Sequence, residues 1–318
     1  LPDGHRRRNI LCASPLWLWR FFFFVFVVLF YCVELLWIKP VDGINDDWGM
    51  YSTLSGAYTG EPNAHVLFFL YPLSWLLCGL YRINSSVPWF GLFQHGVHIC
   101  CIWLVYTRCI HLWKKKHSAS ETVLLPALCI LGCLFFIVDL NVLSEAQYTT
   151  TAGFAAACAL FYFITTKSDE SVSQFLKGNI PTLLLAWLAF CMRQNVLFMM
   201  MPIAGMLWLA KWLLSNRRAS GGYFLKLFSF VLILAVGMGF LYGLHAAAYS
   251  EEKWADFIQI NHYRERVGDF YTWPEYEECS AQLSALGLDE ESYGYIRNAA
   301  PCIGYGLSLE DWKQLHQI

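Results

Sequence analysis

Apolar residues in this chain fall into long blocks separated by short polar stretches, and neither the alternation of a surface strand nor the stripe of a soluble helix dominates. A bilayer core takes about 20 apolar residues as helix. Seven blocks approach that length, at about 16–38, 88–112, 121–140, 150–166, 179–192, 196–215 and 223–247. The first block follows His5-Arg6-Arg7-Arg8, as the core of a secretion signal would. It is too long for that and no small-x-small cleavage site follows, so an uncleaved span is expected. The fifth, Ile180–Met192, is short and ends at Arg193-Gln194-Asn195. A short or re-entrant helix paired with the next fits better than one helix over 180–214 with an arginine buried midway. Val66–Tyr81 is apolar too, but it is short and interrupted by Pro72, which predicts a helix lying on the membrane surface.

The polar punctuation orients these blocks. Arg6, Arg7 and Arg8, then Lys114, Lys115 and Lys116, then Lys167 and Lys177, then Arg217 and Arg218 all fall on one side, which the positive-inside rule makes cytoplasmic. The opposite side then holds the loop 39–87, the loop 141–149, the turn at Arg193 and everything from 249 onward. The expected fold is therefore all-α. Residues 1–248 form a multi-pass transmembrane bundle in a cell membrane, with a cytoplasmic N-terminus and surface helices in a long first external loop. Residues 249–318 form an external helical segment, with Asp289 and Ser308 as N-caps and a capping box at Ser308-Leu309-Glu310-Asp311. A first residue that is Leu and an end inside a helical pattern predict a fragment shortened at both ends.

Composition agrees. The chain is 57% hydrophobic and 14% charged, where soluble domains carry about 25% charge. A net charge of -2 offers no basic field for nucleic acid. Most of the 12 cysteines lie in apolar blocks, where a thiol acts as a small buried hydrophobe, and no paired CxxC suggests zinc. Cys279 and Cys302 lie in the tail, where a disulfide is open if the compartment is oxidising. P-loop, GxGxxG and GxSxG motifs are missing from the sequence.

Chemistry concentrates in the first external loop, VDGINDDWGMYSTLSGAYTGEPNAH, where Asp42, Asp46 and Asp47 fall within six positions. Adjacent carboxylates raise one another's pKa unless a cation or hydrogen-bond donors compensate. Such a pair can take a proton from a hydroxyl or hold a divalent metal. It can equally be a solvated acidic turn capping the helix that follows. Arg193 on the same side offers a planar fork for phosphate oxygens, or else snorkels to lipid headgroups. Glu145 can contact a sugar or a metal, or be a solvated loop charge. In the tail, Arg264 and Arg266 lie beside Asp269, Tyr271 and several aromatics, either covering the loop and binding phosphate or forming a headgroup-level belt.

Asp46-Asp47 after the first span, Tyr51, Tyr58-Thr59-Gly60, and Tyr71-Pro72 before an amphipathic stretch give the chain its closest likeness. Over residues 16–215 it resembles the GT-C superfamily of polyprenyl-phosphate-sugar-dependent membrane glycosyltransferases, and in particular uncharacterised bacterial multi-pass members. Tyr51 sits one residue further on than in the familiar pattern, Tyr71-Pro72 lacks a His and a second Pro, and His65 is displaced from the place such a His would take. The resemblance implies a hexosyl- or pentosyltransferase with Asp46 as general base. Asp47 would orient the acceptor or share a Mg or Mn ion, and Arg193, Glu145, Tyr71, His65, Arg264 and Arg266 would serve substrates. The implied partners are a polyprenyl-phosphate-linked sugar donor, a glycan, lipid or protein acceptor, and the lipid bilayer. A transporter or flippase of lipid-linked substrates is the alternative. It would place ionisable residues mid-span, whereas the later blocks read as almost free of charge. A scaffold without chemistry is a third reading.

Overall fold

The computed structural model describes residues 16–37, 41–42, 45–116, 129–130, 132–133, 145–166, 171–214, 222–267, 272–298 and 307–318. The described residues form helices joined by turns and loops, with one parallel two-residue bridge, β1 (Val41–Asp42) with β2 (Glu145–Ala146), in which Val41 pairs with Glu145. The chain divides into two compact units, 1–245 and 246–318.

In the first unit the helices are α1 (Leu16–Trp37), α2 (Asn45–Ser55), α3 (Tyr71–Ile83), α4 (Trp89–Lys116), α5 (Tyr148–Thr165), α6 (Val172–Gly178), α7 (Ile180–Met192), α8 (Gln194–Leu213) and α9 (Gly222–Ala248). Four stretches are long and apolar enough to cross a membrane: Trp89–Trp113 in α4, and α5, α8 and α9. The α6–α7 pair, bent by 53°, makes a fifth if it is one broken span, and α1 contributes the shorter apolar stretch Phe23–Val33. The third block read from the sequence, about 121–140, lies almost wholly outside the described residues. Phe228, Val236 and Phe240 on α9 are about two-thirds exposed. Apolar surface on that scale calls for lipid, and the protein is a membrane protein.

Side-chain contacts fix the helix directions. Phe23 of α1 packs on Tyr106 of α4, and Tyr31 on His95, so α1 and α4 are antiparallel. Gln94 meets Thr151 and Arg108 meets Thr165, so α4 and α5 run the same way. Phe163 of α5 stacks on Trp208 of α8, which in turn meets Tyr223 at the start of α9. The bundle therefore has one end at Tyr148 and Arg193 and another at Thr165, Lys211 and Tyr223. With α5 rising about 1.5 Å per residue, the ends stand about 25 Å apart, close to a bilayer's hydrocarbon thickness.

Small residues let α5 pack tightly at the centre. Ala152, Ala155, Ala156 and Ala159 are buried, and α7 and α8 both lie against this face. Trp187 of α7 lies over Gly237 of α9, where a Cβ would meet the indole ring at 2.3 Å, and its Nε1 donates to Leu234 O.

Two sequence expectations need correction. Pro72 does not interrupt a surface helix over 66–81. It sits in the first turn of α3, where its missing N–H has no partner to lose, and the helix runs from Tyr71 to Ile83. The later spans are also less poor in charge than their hydropathy suggests. Arg108, Lys211 and the buried Lys226 all lie on helices of the bundle. Arg108 donates from Nε to Thr165 Oγ1 and from Nη2 to Thr165 O, while Lys211 Nζ donates to Ile164 O and Thr166 O. Both cations satisfy carbonyls that the end of α5 would otherwise leave open.

The second unit comprises α10 (Glu252–Glu265), α11 (Tyr276–Ala285), α12 (Glu290–Asn298) and α13 (Leu309–Leu315). Its core gathers Val267, Leu283, Leu288, Tyr293, Ile296, Trp312 and Leu315. The expected capping box forms, with Ser308 Oγ accepting from Asp311 N and Asp311 accepting from Ser308 N. Asp289 Oδ1 accepts from Ser292 N at 2.8 Å, and hydrogen bonding by Ser292, through its side chain first and then its N–H, holds the carboxyl below the usual range. Arg297 makes a two-pronged pair with Glu275, 2.9 Å on each prong. Cys302 lies outside the described residues, as do Asp269 and Tyr271.

Candidate active site

The site begins at α2, whose first turn carries both acids. Helix N-termini favour negative charge there, because their first N–H groups are unsatisfied. The helix ends at Gly56, whose φ of 86° suits glycine; a Cβ at that position would stand 2.6 Å from Glu61 C.

The two aspartates are not equivalent. Asp47 is fully buried, and its Oδ1 accepts from Gln94 Nε2 at 3.0 Å and from Tyr148 N at 2.9 Å. The first donor comes from α4 and the second from the first residue of α5, 101 positions along the chain. Asp46 is half-buried beside it, and both acids lie close enough to the Tyr148 phenol to act on it electrostatically.

Behind Asp47 a buried polar chain runs between α4 and α5. Gln94 turns its amide nitrogen to the carboxylate, which leaves its Oε1 to accept from Thr151 Oγ1 at 3.4 Å. Thr151 in turn lies 3.1 Å from His98 Nε2. With the hydroxyl proton on Gln94, the imidazole donates from Nε2, which defines its tautomer. Phe154 stacks on His98 at 4.8 Å with an interplanar angle of 10°. Gln94, His98 and Thr151 are each at most 1% exposed, so the chain holds Asp47 in place away from water.

Arg193 arrives from another direction. It is the single extended residue between α7 and α8, with φ of -156°, and its N–H donates to Ala189 O. Nη1 donates to Tyr148 Oη at 2.8 Å, and the guanidinium lies 5.0 Å from the Phe68 ring and 5.4 Å from the Tyr148 ring. Phe68 stacks on Tyr148 at 5.3 Å and has φ of 70°. That left-handed backbone costs a bulky residue on the order of 1–2 kcal/mol, and here it sets the ring under the arginine. The segment is anchored by Leu70 N donating to Cys191 O at 2.8 Å and by Tyr71 N donating to His245 Nδ1 at 3.1 Å.

Of the residues anticipated from sequence, Asp46, Asp47 and Arg193 converge on Tyr148. Tyr71 and His65 sit together, with rings 5.1 Å apart, on a polar pocket of about 420 Å³ that Glu61, Asn63, Trp75 and Arg82 also line. Glu145 is brought to the same end through the bridge to Val41. Arg264 lies on α10 of the second unit and Arg266 caps it. Gln94, His98, Thr151, Phe68 and the role of Tyr148 escaped the sequence reading. The available signal was two polar side chains four positions apart, Gln94 and His98, within an apolar helix.

Below Arg193 the bundle opens into an apolar cavity of about 500 Å³ between α5, α7, α8 and α9. Leu197 lines it one helical turn from the arginine, with Met200, Met201 and Phe163 further along. Among the described residues no three His, Cys, Asp or Glu side chains are grouped to hold a metal. Asp47 Oδ1 accepts two N–H bonds, which fix the carboxylate in place.

The chain matches no family model, no curated protein and no solved structure.

Proposed function

We propose that this membrane protein transfers a sugar from a polyprenyl-phosphate carrier to an acceptor hydroxyl at the end of the bundle that holds Asp46 and Asp47. The carrying observation is the convergence on Tyr148 of a half-buried carboxylate, a second carboxylate locked by two donors, and an arginine one helical turn from Leu197, which lines an apolar cavity. That combination suits an amphiphile with an anionic head and a hydrocarbon tail.

In this reading Asp46 is the general base that takes the acceptor's proton, and the acceptor oxygen attacks the anomeric carbon as the bond to the carrier phosphate breaks. Asp47 orients the base and its surroundings. Arg193 stabilises the departing lipid phosphate, with the Phe68 and Tyr148 faces holding its fork. The carrier tail runs into the cavity lined by Leu197 and Met200. The pocket at Tyr71, His65 and Trp75 offers aromatic and polar groups of the kind that hold sugars, and so serves the acceptor or the transferred residue. A Mg or Mn ion at Asp46 would add charge neutralisation, and no step above depends on it. The basic end of the bundle faces the cytoplasm, so transfer takes place at the external face of a cell membrane.

The test uses purified chain in proteoliposomes with polyprenyl-phosphate hexose or pentose donors, following release of polyprenyl phosphate. Wild type is expected to release it, and Asp46→Asn to slow release by about 10²–10⁴-fold. Arg193→Gln is expected to weaken the donor's KM. Wild-type protein that inserts correctly yet transfers from neither donor to any hydroxyl acceptor supplied would sink this reading.

A further inference from the structure

At the end of the bundle away from Asp46, three basic side chains line one pocket. It holds about 130 Å³ and is bounded by Arg20 of α1, Thr107, Arg108 and His111 of α4, and Tyr162 of α5. That is room for about four waters, or one phosphate group. No acidic residue is among those lining it. Arg108 lies 5.5 Å from the Tyr162 ring centroid, and the charges of both arginines reach the Tyr162 phenol.

Helix capping accounts for only part of this. Arg108 uses Nε and Nη2 on Thr165 and Thr166, leaving Nη1 without a bond among the described residues. Arg20 makes no hydrogen bond or ion pair among the described residues, although it lines the same small pocket as a second guanidinium. Two like charges converging near the membrane boundary repel unless an anion lies between them. Their planar forks match phosphate oxygens, and basic pockets between membrane helices on the cytoplasmic side suit anionic headgroups.

We infer that Arg20 and Arg108, with His111 and Thr107, form a binding site for a phosphate group at the headgroup level. The same chemistry serves the head of an anionic phospholipid or a soluble phosphate ester. This site stands about 25 Å from the Asp46 site along α5 and does not rest on the proposed transfer reaction.

Native mass spectrometry of the full chain from nanodiscs of phosphatidylcholine with or without phosphatidylglycerol tests it. Retained phosphatidylglycerol, with about tenfold weaker retention in Arg20→Gln and no change in Lys177→Gln, is expected. Arg108→Gln should do the same but also loosens the end of α5, so Arg20→Gln, which caps nothing, is the deciding variant. Retention that survives millimolar inorganic phosphate identifies a lipid headgroup; displacement by phosphate identifies a soluble ester, and both support the site. Equal retention of phosphatidylglycerol by wild type and Arg20→Gln, with phosphate binding to neither, overturns it.

Discussion

The two ends of α5 handle charge in opposite ways. At Tyr148 a buried carboxylate is held by neutral donors from two other segments, and an arginine rests on two aromatic faces. At Thr165 an arginine and a lysine from two other helices direct their hydrogens to the open carbonyls of the helix itself. The second arrangement completes a helix end. The first brings two carboxylates and a guanidinium to one phenol, with Phe68 held in a left-handed backbone beside them. Converging carboxylates and a strained backbone mark the Tyr148 end, while completed helix carbonyls mark the Thr165 end, where Arg20 and Arg108 also line one pocket.

The largest break in that contrast should come from Asp47→Ala. It leaves Gln94 Nε2 and Tyr148 N facing a void and should destabilise the bundle by about 3 kcal/mol or more, read as a lower midpoint in detergent thermal unfolding. Asp46→Ala should cost under about 1 kcal/mol by the same measurement, since it is half-buried. Next comes Lys211→Met at the other end, which frees two carbonyls and should cost about 1–2 kcal/mol. Faster hydrogen exchange confined to residues near 162–166 would show the damage to be local. Tyr148→Phe keeps both aromatic contacts and removes the hydroxyl with its Arg193 bond, so about 1 kcal/mol is expected in the same unfolding assay. A full loss of folding in Tyr148→Phe would mean that the hydroxyl, and not the ring stack, holds Arg193.

The smallest effect belongs to a solvated pair. The Arg297 guanidinium holds the Glu275 carboxyl below its ordinary value. A carboxylate whose folded pKa is depressed lends stability that is present above the unfolded value of about 4.3 and fades as pH falls through the lower folded value. Pepsin cleavage of the tail between pH 5 and pH 3 should therefore rise in wild type, and Arg297→Ala should flatten that rise. An unchanged profile would mean that the exposed pair contributes nothing measurable.

Much of this contrast was legible in the sequence, and the remainder was hidden for physical reasons. Lys and Arg in short loops marked one side, and Asp46, Asp47 and Arg193 all fell on the other. Their meeting at one phenol was not readable, because it depends on Tyr148 and Gln94 approaching from segments 101 and 47 positions away from Asp47. Gln94 and His98 are neither Asp, Glu, Lys nor Arg, so a reading built on acidic and basic residues passes over them. Phe68 gives no sign of its left-handed backbone, since nothing in a phenylalanine favours it. Arg108 and Lys211 vanished into apolar averages that do not register a long side chain reaching for a helix end. Pro72 misled because a proline within an apolar run reads as a break, while in the first turn it begins a helix.

The central claim is that the adjacent acids have separate roles, and a paired comparison of Asp46→Asn and Asp47→Asn tests it most directly. Both variants, at matched membrane abundance, would be followed for glycan product in cells and for thermal midpoint after purification. Asp46→Asn is expected to lose the product with an unchanged midpoint, while Asp47→Asn lowers the midpoint and loses product along with it. Normal product from Asp46→Asn, or an unchanged midpoint in Asp47→Asn, would contradict the claim.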